Sequence, residues 1–220
     1  MPSFLPPGIE LKTPLTRAAV RQLHAGDIVY ISGYLWSAAD LIFTGVFEEG
    51  RELPIDIRQY NAMLVGRGFT RLINGKWVPQ HTTPVSTTGF RYRKWIAPSI
   101  KMFNLRMVLC KDGVSDDENT IRACQEHDCV TTTVFAFPPK VLPDTCQEVR
   151  EVTWADNLQA SRQGLRETNF IYKARKYGPL IINIDTKGNC FTGEIARRID
   201  EQASDVYERM GINSFNYNKL

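Results

Sequence analysis

The run Leu180-Ile181-Ile182-Asn183-Ile184 has almost no polar face. It reads as a strand buried on both sides, closed by the turn-forming residues Asp185-Thr186-Lys187-Gly188-Asn189. A strand of that kind needs cover from other layers. Ile28–Ser32 and Leu105–Leu109 are comparable β-rich runs, and Asn61–Val65, Cys129–Phe135, Val149–Trp154 and Phe170–Ala174 are further strand candidates. Asn74-Gly75, set between Phe69–Ile73 and Lys76–Gln80, predicts a tight hairpin, because its two central residues tolerate the positive φ such a turn requires.

Helices are expected between these strands. Thr13 can cap one, with Pro14 in its first turn, Leu15, Ala18, Ala19 and Leu23 on one face, and Ala25-Gly26-Asp27 at its end. Others are expected from Ser37 to about Phe47 and from about Gly89 to Met102, the latter disturbed by Pro98. Ser115-Asp116-Asp117-Glu118 forms a capping box that opens a helix through Glu126. The last helix runs from about Thr192 to Met210, with Ile195, Ile199, Ala203 and Val206 sharing a face. Mixed strands and helices make this an α/β chain. Residues 1–12 read as an extended lead, 13–212 as one domain and 213–220 as a tail.

Composition excludes several function classes. Lysine and arginine total 27 against 24 acids, a net charge of +3, without a basic stripe interleaved with aromatics, so no nucleic-acid partner is expected. No apolar run approaches the roughly 18 residues of a membrane span, and the first residues lack the basic and apolar regions of a signal peptide. The five cysteines, Cys110, Cys124, Cys129, Cys146 and Cys190, are odd in number and scattered, as expected of reduced thiols in the cytoplasm. None lies in a cluster-type motif. Cys124-x-x-His127-x-Cys129 lacks a fourth nearby ligand and reads as a buried structural pair.

Two short polar segments carry the chemistry. Ser86-Thr87-Thr88-Gly89-Phe90-Arg91 offers two threonine hydroxyls and a guanidinium, and Cys110-Lys111-Asp112-Gly113 offers an ammonium. Arginine presents a planar fork to a carboxylate and lysine a point charge. Threonine hydroxyls can donate to the same oxygens or relay a proton. Together these groups suit a small dicarboxylate.

The order of these segments resembles the β subunit, or C-terminal domain, of the iron–sulfur class I fumarases and L-tartrate dehydratases. Leu11-Lys12-Thr13-Pro14-Leu15 and Leu23-His24-Ala25-Gly26-Asp27 resemble that family's opening "L-x-T-P" and "L-x-x-G-D". Ser32-Gly33 leading to Asp40 is similar to "S/T-G … R-D-x-x-H", and Val85 to Tyr92 to "G-P-T-T-x-x-R-M". Cys110-Lys111-Asp112-Gly113 is similar to "G-K-G-G", Glu151-Val152-Thr153-Trp154 to "E-V-x-W", and Gly178-Pro179-Leu180 through Asn189 to "G-P-L-I-V-x-I-D-x-x-G-N". The resemblance covers about residues 9–195.

It implies a swivelling three-layer β/β/α domain that packs against a separate α subunit. That partner would carry a [4Fe–4S] cluster, none being bound by this chain, and the reaction would be reversible hydration of a carbon–carbon double bond. Carried over residue by residue, Thr87 becomes a proton relay or base, and Thr88 and Arg91 bind substrate oxygens. Lys111 holds a carboxylate or developing enolate charge, and Asp40 is an orienting acid. The chain departs from the pattern at Ala39, where the family has an arginine, and at Phe43, where it has a histidine. Val85 and Ser86 replace a glycine and a proline, and Cys110 and Asp112 replace glycines beside the lysine. Two other readings follow from these departures: a stand-alone enzyme using Lys111 and Arg91 without a cluster, or a non-catalytic binding subunit.

Overall fold

The structure is a computed structural model that describes residues 6–53, 55–66, 68–79, 91–111, 117–134, 144–152 and 166–211. Its centre is a run of parallel strands. β1 (Ile9–Lys12) pairs with β2 (Ile28–Ala38), β2 with β3 (Ala62–Val65), β3 with β6 (Met107–Leu109), and β6 with β7 (Val130–Thr133), all parallel. β9 (Arg166–Ile184) then pairs antiparallel with both β7 and β2, so the path β2-β3-β6-β7-β9 closes on itself. β8 (Cys146–Val152) and the hairpin of β4 (Gly68–Ile73) and β5 (Lys76–Pro79) extend from the outer part of β9.

The apolar residues sort into two cores. On β3, Met63 and Val65 belong to one core and Ala62 and Leu64 to the other; on β6, Val108 faces one and Met107 and Leu109 the other. That is the two-residue period of a strand covered on both faces. The first core is roofed by helices α2 (Asp40–Phe47), α3 (Arg93–Met102) and α4 (Glu118–His127), through Phe43, Ile96, Ile100 and Cys124. The second is filled by Val29, Ile31, Tyr172, Tyr177, Leu180 and Ile182, with Val20 and Leu23 from around α1 (Arg17–Arg21). The chain is thus a mixed α/β domain dominated by its sheet, as the α/β reading expects.

Local chemistry explains where the elements begin. Asn74 (φ 50°) and Gly75 (φ 72°) turn the β4–β5 hairpin as the dipeptide predicts. The first helix starts later than expected. The N–H of Thr13 donates to the carbonyl of Ser32, which extends the β1–β2 ladder, and Thr16 caps α1 by accepting from the Ala19 N–H. Ser37 and Ala38 stay in β2 instead of opening α2, because Ala38 is still paired with Val65. For α4 the capping side chain is Asp117, which accepts from the Thr120 N–H at 3.2 Å; Ser115 and Asp116 lie outside the described residues. The expected strands Phe170–Ala174 and Leu180–Ile184 are one strand, β9, distorted between them at Lys176 (φ 55°) and Gly178 (φ 151°). A Cβ on Gly178 would stand 2.7 Å from the Val29 carbonyl oxygen, so only glycine lets β9 approach β2 there.

The turn after β9 is built on Asp185, which is fully buried. Its carboxylate accepts from the backbone N–H of Lys187 (2.8 Å), Asn189 (3.0 Å) and Ala25 (3.2 Å), and from Asn189 Nδ2 (2.8 Å). Gly26 N–H donates to the Ile182 carbonyl and Ile182 N–H to that of Asp27. Two segments distant in sequence, 23–27 and 185–189, are therefore one structural joint. Helix α5 (Phe191–Arg209) follows. The face it was expected to bury is largely exposed: Ile195 is 36%, Ile199 60% and Val206 47% accessible. Among the described residues no helix is long and apolar enough to cross a membrane.

Candidate functional site

Ligands of parallel sheets, open or closed into a barrel, bind outside the carboxyl ends of the strands, where helices begin. In this chain those ends are Ala39-Asp40 after β2, Gly66 after β3, Cys110-Lys111 after β6 and Val134 after β7. The Gly66 N–H donates to the Ala38 carbonyl at 2.8 Å and holds the first two ends together. Asp40, half-buried, is the first residue of α2, whose N-terminus has no side-chain cap because Ala39 occupies that position. Lys111 is half-buried, and its carbonyl accepts from Thr133 Oγ1 at 2.7 Å and from the Val134 N–H at 3.3 Å.

Arg91 is placed through its neighbour Tyr92. It opens the short turn that leads into α3, is exposed, and its guanidinium carbon lies 5.8 Å from the centre of the Tyr92 ring. Tyr92 in turn packs on Phe43, with ring centres 4.9 Å apart, and Phe43 stacks on Trp95 at 5.5 Å and 4°. This aromatic cluster ties the residue after Arg91 to α2, three residues beyond Asp40. The structure thus places Asp40 and Lys111 at one edge of the sheet and packs the residue after Arg91 against α2. Thr87 and Thr88 lie outside the described residues, as does Asp112.

Comparison with known proteins bears on this edge. No protein-family model matches the chain. It is 25% identical over 201 residues to the L(+)-tartrate dehydratase subunit beta of Escherichia coli K12, spanning 91% of this chain and 94% of that one. The chain is a divergent relative of the tartrate dehydratase β subunits. A chain assigned as the same subunit in Methanocaldococcus jannaschii is 24% identical over 195 residues, 87% of this chain and 95% of its own. A protein assigned as class I fumarate hydratase in Geobacillus stearothermophilus is 24% identical over 200 residues, which are 91% of this chain but 36% of that protein. The tartrate dehydratase subunits are thus matched almost end to end, and the fumarate hydratase along about a third of its length.

Two positions at which the chain departs from the pattern of the family it resembles lie in the interior. Phe43 is fully buried, and Ala39 is 5% accessible. Position 43 is a core position of this chain, and its ring is part of the platform beneath Arg91. Restoring a histidine there, as Phe43→His, is expected to lower the unfolding free energy by about 2–3 kcal/mol, since the imidazole would replace a stacked ring among apolar neighbours. Urea denaturation of the two proteins checks this. Cys110 is also fully buried, on the helix side of β6. In the Cys124-x-x-His127-x-Cys129 stretch both thiols are buried, and the hydrogen bond to Cys129, followed by burial, pushes the Cys124 thiol well up. His127 gives its carbonyl to Arg106 Nη1 at 2.7 Å. Among the described residues no three histidine, cysteine, aspartate or glutamate side chains group as a metal site.

Proposed function

We propose that this chain is the β-type subunit of a hydro-lyase acting on a small hydroxy or unsaturated dicarboxylic acid. The reading is carried by the near end-to-end similarity to tartrate dehydratase β subunits, 94% of their length. It is supported by the placing of Asp40 and Lys111 at the carboxyl edge of the parallel strands, with the residue after Arg91 packed on α2. In this reading Lys111 and Arg91 hold the substrate carboxylates, Thr88 donates to a substrate oxygen, Thr87 relays the proton, and Asp40 orients these groups. A separate α subunit completes the site; the fumarate hydratase relative is longer, the matched stretch being 36% of its length.

None of the five cysteines forms a disulfide, and among the described residues no three of them come together. The [4Fe–4S] cluster of this reading is the α subunit's, where an open iron would serve as a Lewis acid for the substrate hydroxyl. This chain contributes charge and position. The domain type of the reading is the swivelling β/β/α arrangement, which suits a domain that closes on a partner, and its compartment is the cytoplasm.

Co-expression with a cluster-bearing chain is the test. The two chains are expected to purify together, with iron, sulfide and a visible absorption band only in the complex. Hydration or dehydration of fumarate, malate, tartrate or mesaconate is expected only from that complex. A colourless chain that turns over one of these acids alone would replace this reading with the stand-alone enzyme, which the buried Ala39 and Phe43 favour. Unchanged cellular function after alanine replacement of both Arg91 and Lys111 would leave a non-catalytic subunit.

A further inference from the structure

We infer that Thr133 is a positioning residue for Lys111, acting through a bulge at the end of β6; the inference rests on the reading of Lys111 as a carboxylate-binding group. The parallel ladder between β6 and β7 is regular from Met107↔Val130 to Leu109↔Thr132. It begins with the Val130 N–H donating to the Arg106 carbonyl. Continued at the same step, the Val134 N–H would meet the carbonyl of Cys110. It meets that of Lys111 instead, at 3.3 Å. Between these two bonds β6 advances five residues (106 to 111) while β7 advances four (130 to 134). One extra residue is therefore inserted where the lysine sits. Bulges at strand ends change the direction in which a side chain is presented, and they persist only where their freed carbonyls find donors.

The donors come from β7. Thr133 Oγ1 donates to the Lys111 carbonyl at 2.7 Å, and Thr132 Oγ1 lies 3.5 Å from that of Cys110. Both threonines are buried, so both bonds lie inside the sheet and away from bulk water. The Thr133 bond is the short one, and it acts on the residue that carries the ammonium. Its donor hydroxyl sits on a strand held on both sides, by β6 and by β9 through Thr133↔Ile181. The lysine backbone is thereby referred to the closed sheet. A charged group meant to meet a substrate oxygen needs such a fixed base. Cys110 and Asp112 stand where the relatives' pattern has glycines, so this chain has less backbone freedom on either side of Lys111 to find the geometry by itself.

The test uses Thr133→Val, which keeps shape and strand preference but lacks the donor, and Thr133→Ser, which restores it. In the full chain, trace acetylation with acetic anhydride followed by peptide mass spectrometry reads the reactivity of Lys111 against Lys94 and Lys101. Thr133→Val is expected to change the Lys111 ratio by about threefold or more, with Thr133→Ser close to the parent protein. In the assembled enzyme Thr133→Val is expected to lower kcat/KM by about 10-fold, again rescued by serine. An unchanged Lys111 ratio in a folded Thr133→Val protein overturns the inference. So does failure of both Thr133→Val and Thr133→Ala to fold, which would make the hydroxyl a bond of the fold alone. A changed ratio with unchanged turnover would keep the positioning role and remove the carboxylate role of Lys111.

Discussion

Lys111→Met is expected to lower kcat/KM of the assembled enzyme by about 10- to 150-fold, the worth of one charge-assisted hydrogen bond of roughly 1.5–3 kcal/mol. Methionine keeps an apolar stem of similar reach, and Lys111 is only half-buried, so the fold is spared. The division of the loss is informative. A lysine that grips a carboxylate equally in ground and transition states raises KM and leaves kcat alone. A lysine that answers charge developing on the substrate lowers kcat instead. Steady-state kinetics with each active acid separates the two, and a melting curve controls for folding. A kcat/KM within about twofold of the parent would remove Lys111 from the site. Arg91 is more exposed and its guanidinium is more heavily solvated, so Arg91→Met should cost less.

Asp185→Ala is expected to cost about 2–4 kcal/mol of stability, because it leaves four part-buried N–H donors without their common acceptor. Three backbone donors and the Asn189 amide converge on that one carboxylate, and they join the turn after β9 to the segment before β2. Burial alone would push the Asp185 carboxyl up, but the bonds from Asn189, Lys187 and Ala25 outweigh it and hold the group below its usual value. The sign of the pH effect follows. A carboxyl with a depressed pKa in the folded state stabilises fully above the unfolded value, about 3.9, and loses that contribution as the pH falls through the folded value. Denaturation midpoints should therefore be insensitive to Asp185 between about pH 5 and 8, with the parent protein losing its advantage over Asp185→Ala only in stronger acid. An alanine variant of parental stability at neutral pH would show that water serves the same donors.

Parts of this fold are legible because they depend on single residues. Asn74-Gly75 must turn, since it is suited to two successive positive φ angles, and it does. The alternation Ala62-Met63-Leu64-Val65 shows no polar side, and the strand is covered on both. Other parts depend on partners far along the chain. Thr13 and Thr16 are equally good caps in isolation; the carbonyl of Ser32 decides between them. Ser37 and Ala38 could begin a helix, but pairing with β3 keeps them extended. The same holds for the site. Lys111 is visible as a charge in a short polar segment, whereas Thr133 reads only as one of four consecutive strand residues until pairing sets it against the lysine carbonyl. The helix of Ile195 and Ile199 has the right period for a buried face, yet period alone does not supply the surface to bury it against.

The double pairing of β9 also bears on how the protein comes to be made. β2 lies near the start of the chain and β9 near its end. While the chain is being synthesised, β2 and β7 each present a row of unpaired amides and carbonyls until residues 171–184 have emerged. A fragment ending before β9 would keep Asp40, Arg91 and Lys111 and still be a template for adhesion to its own copies. Emergence of the last strand covers both of these edges at once and closes the ladder.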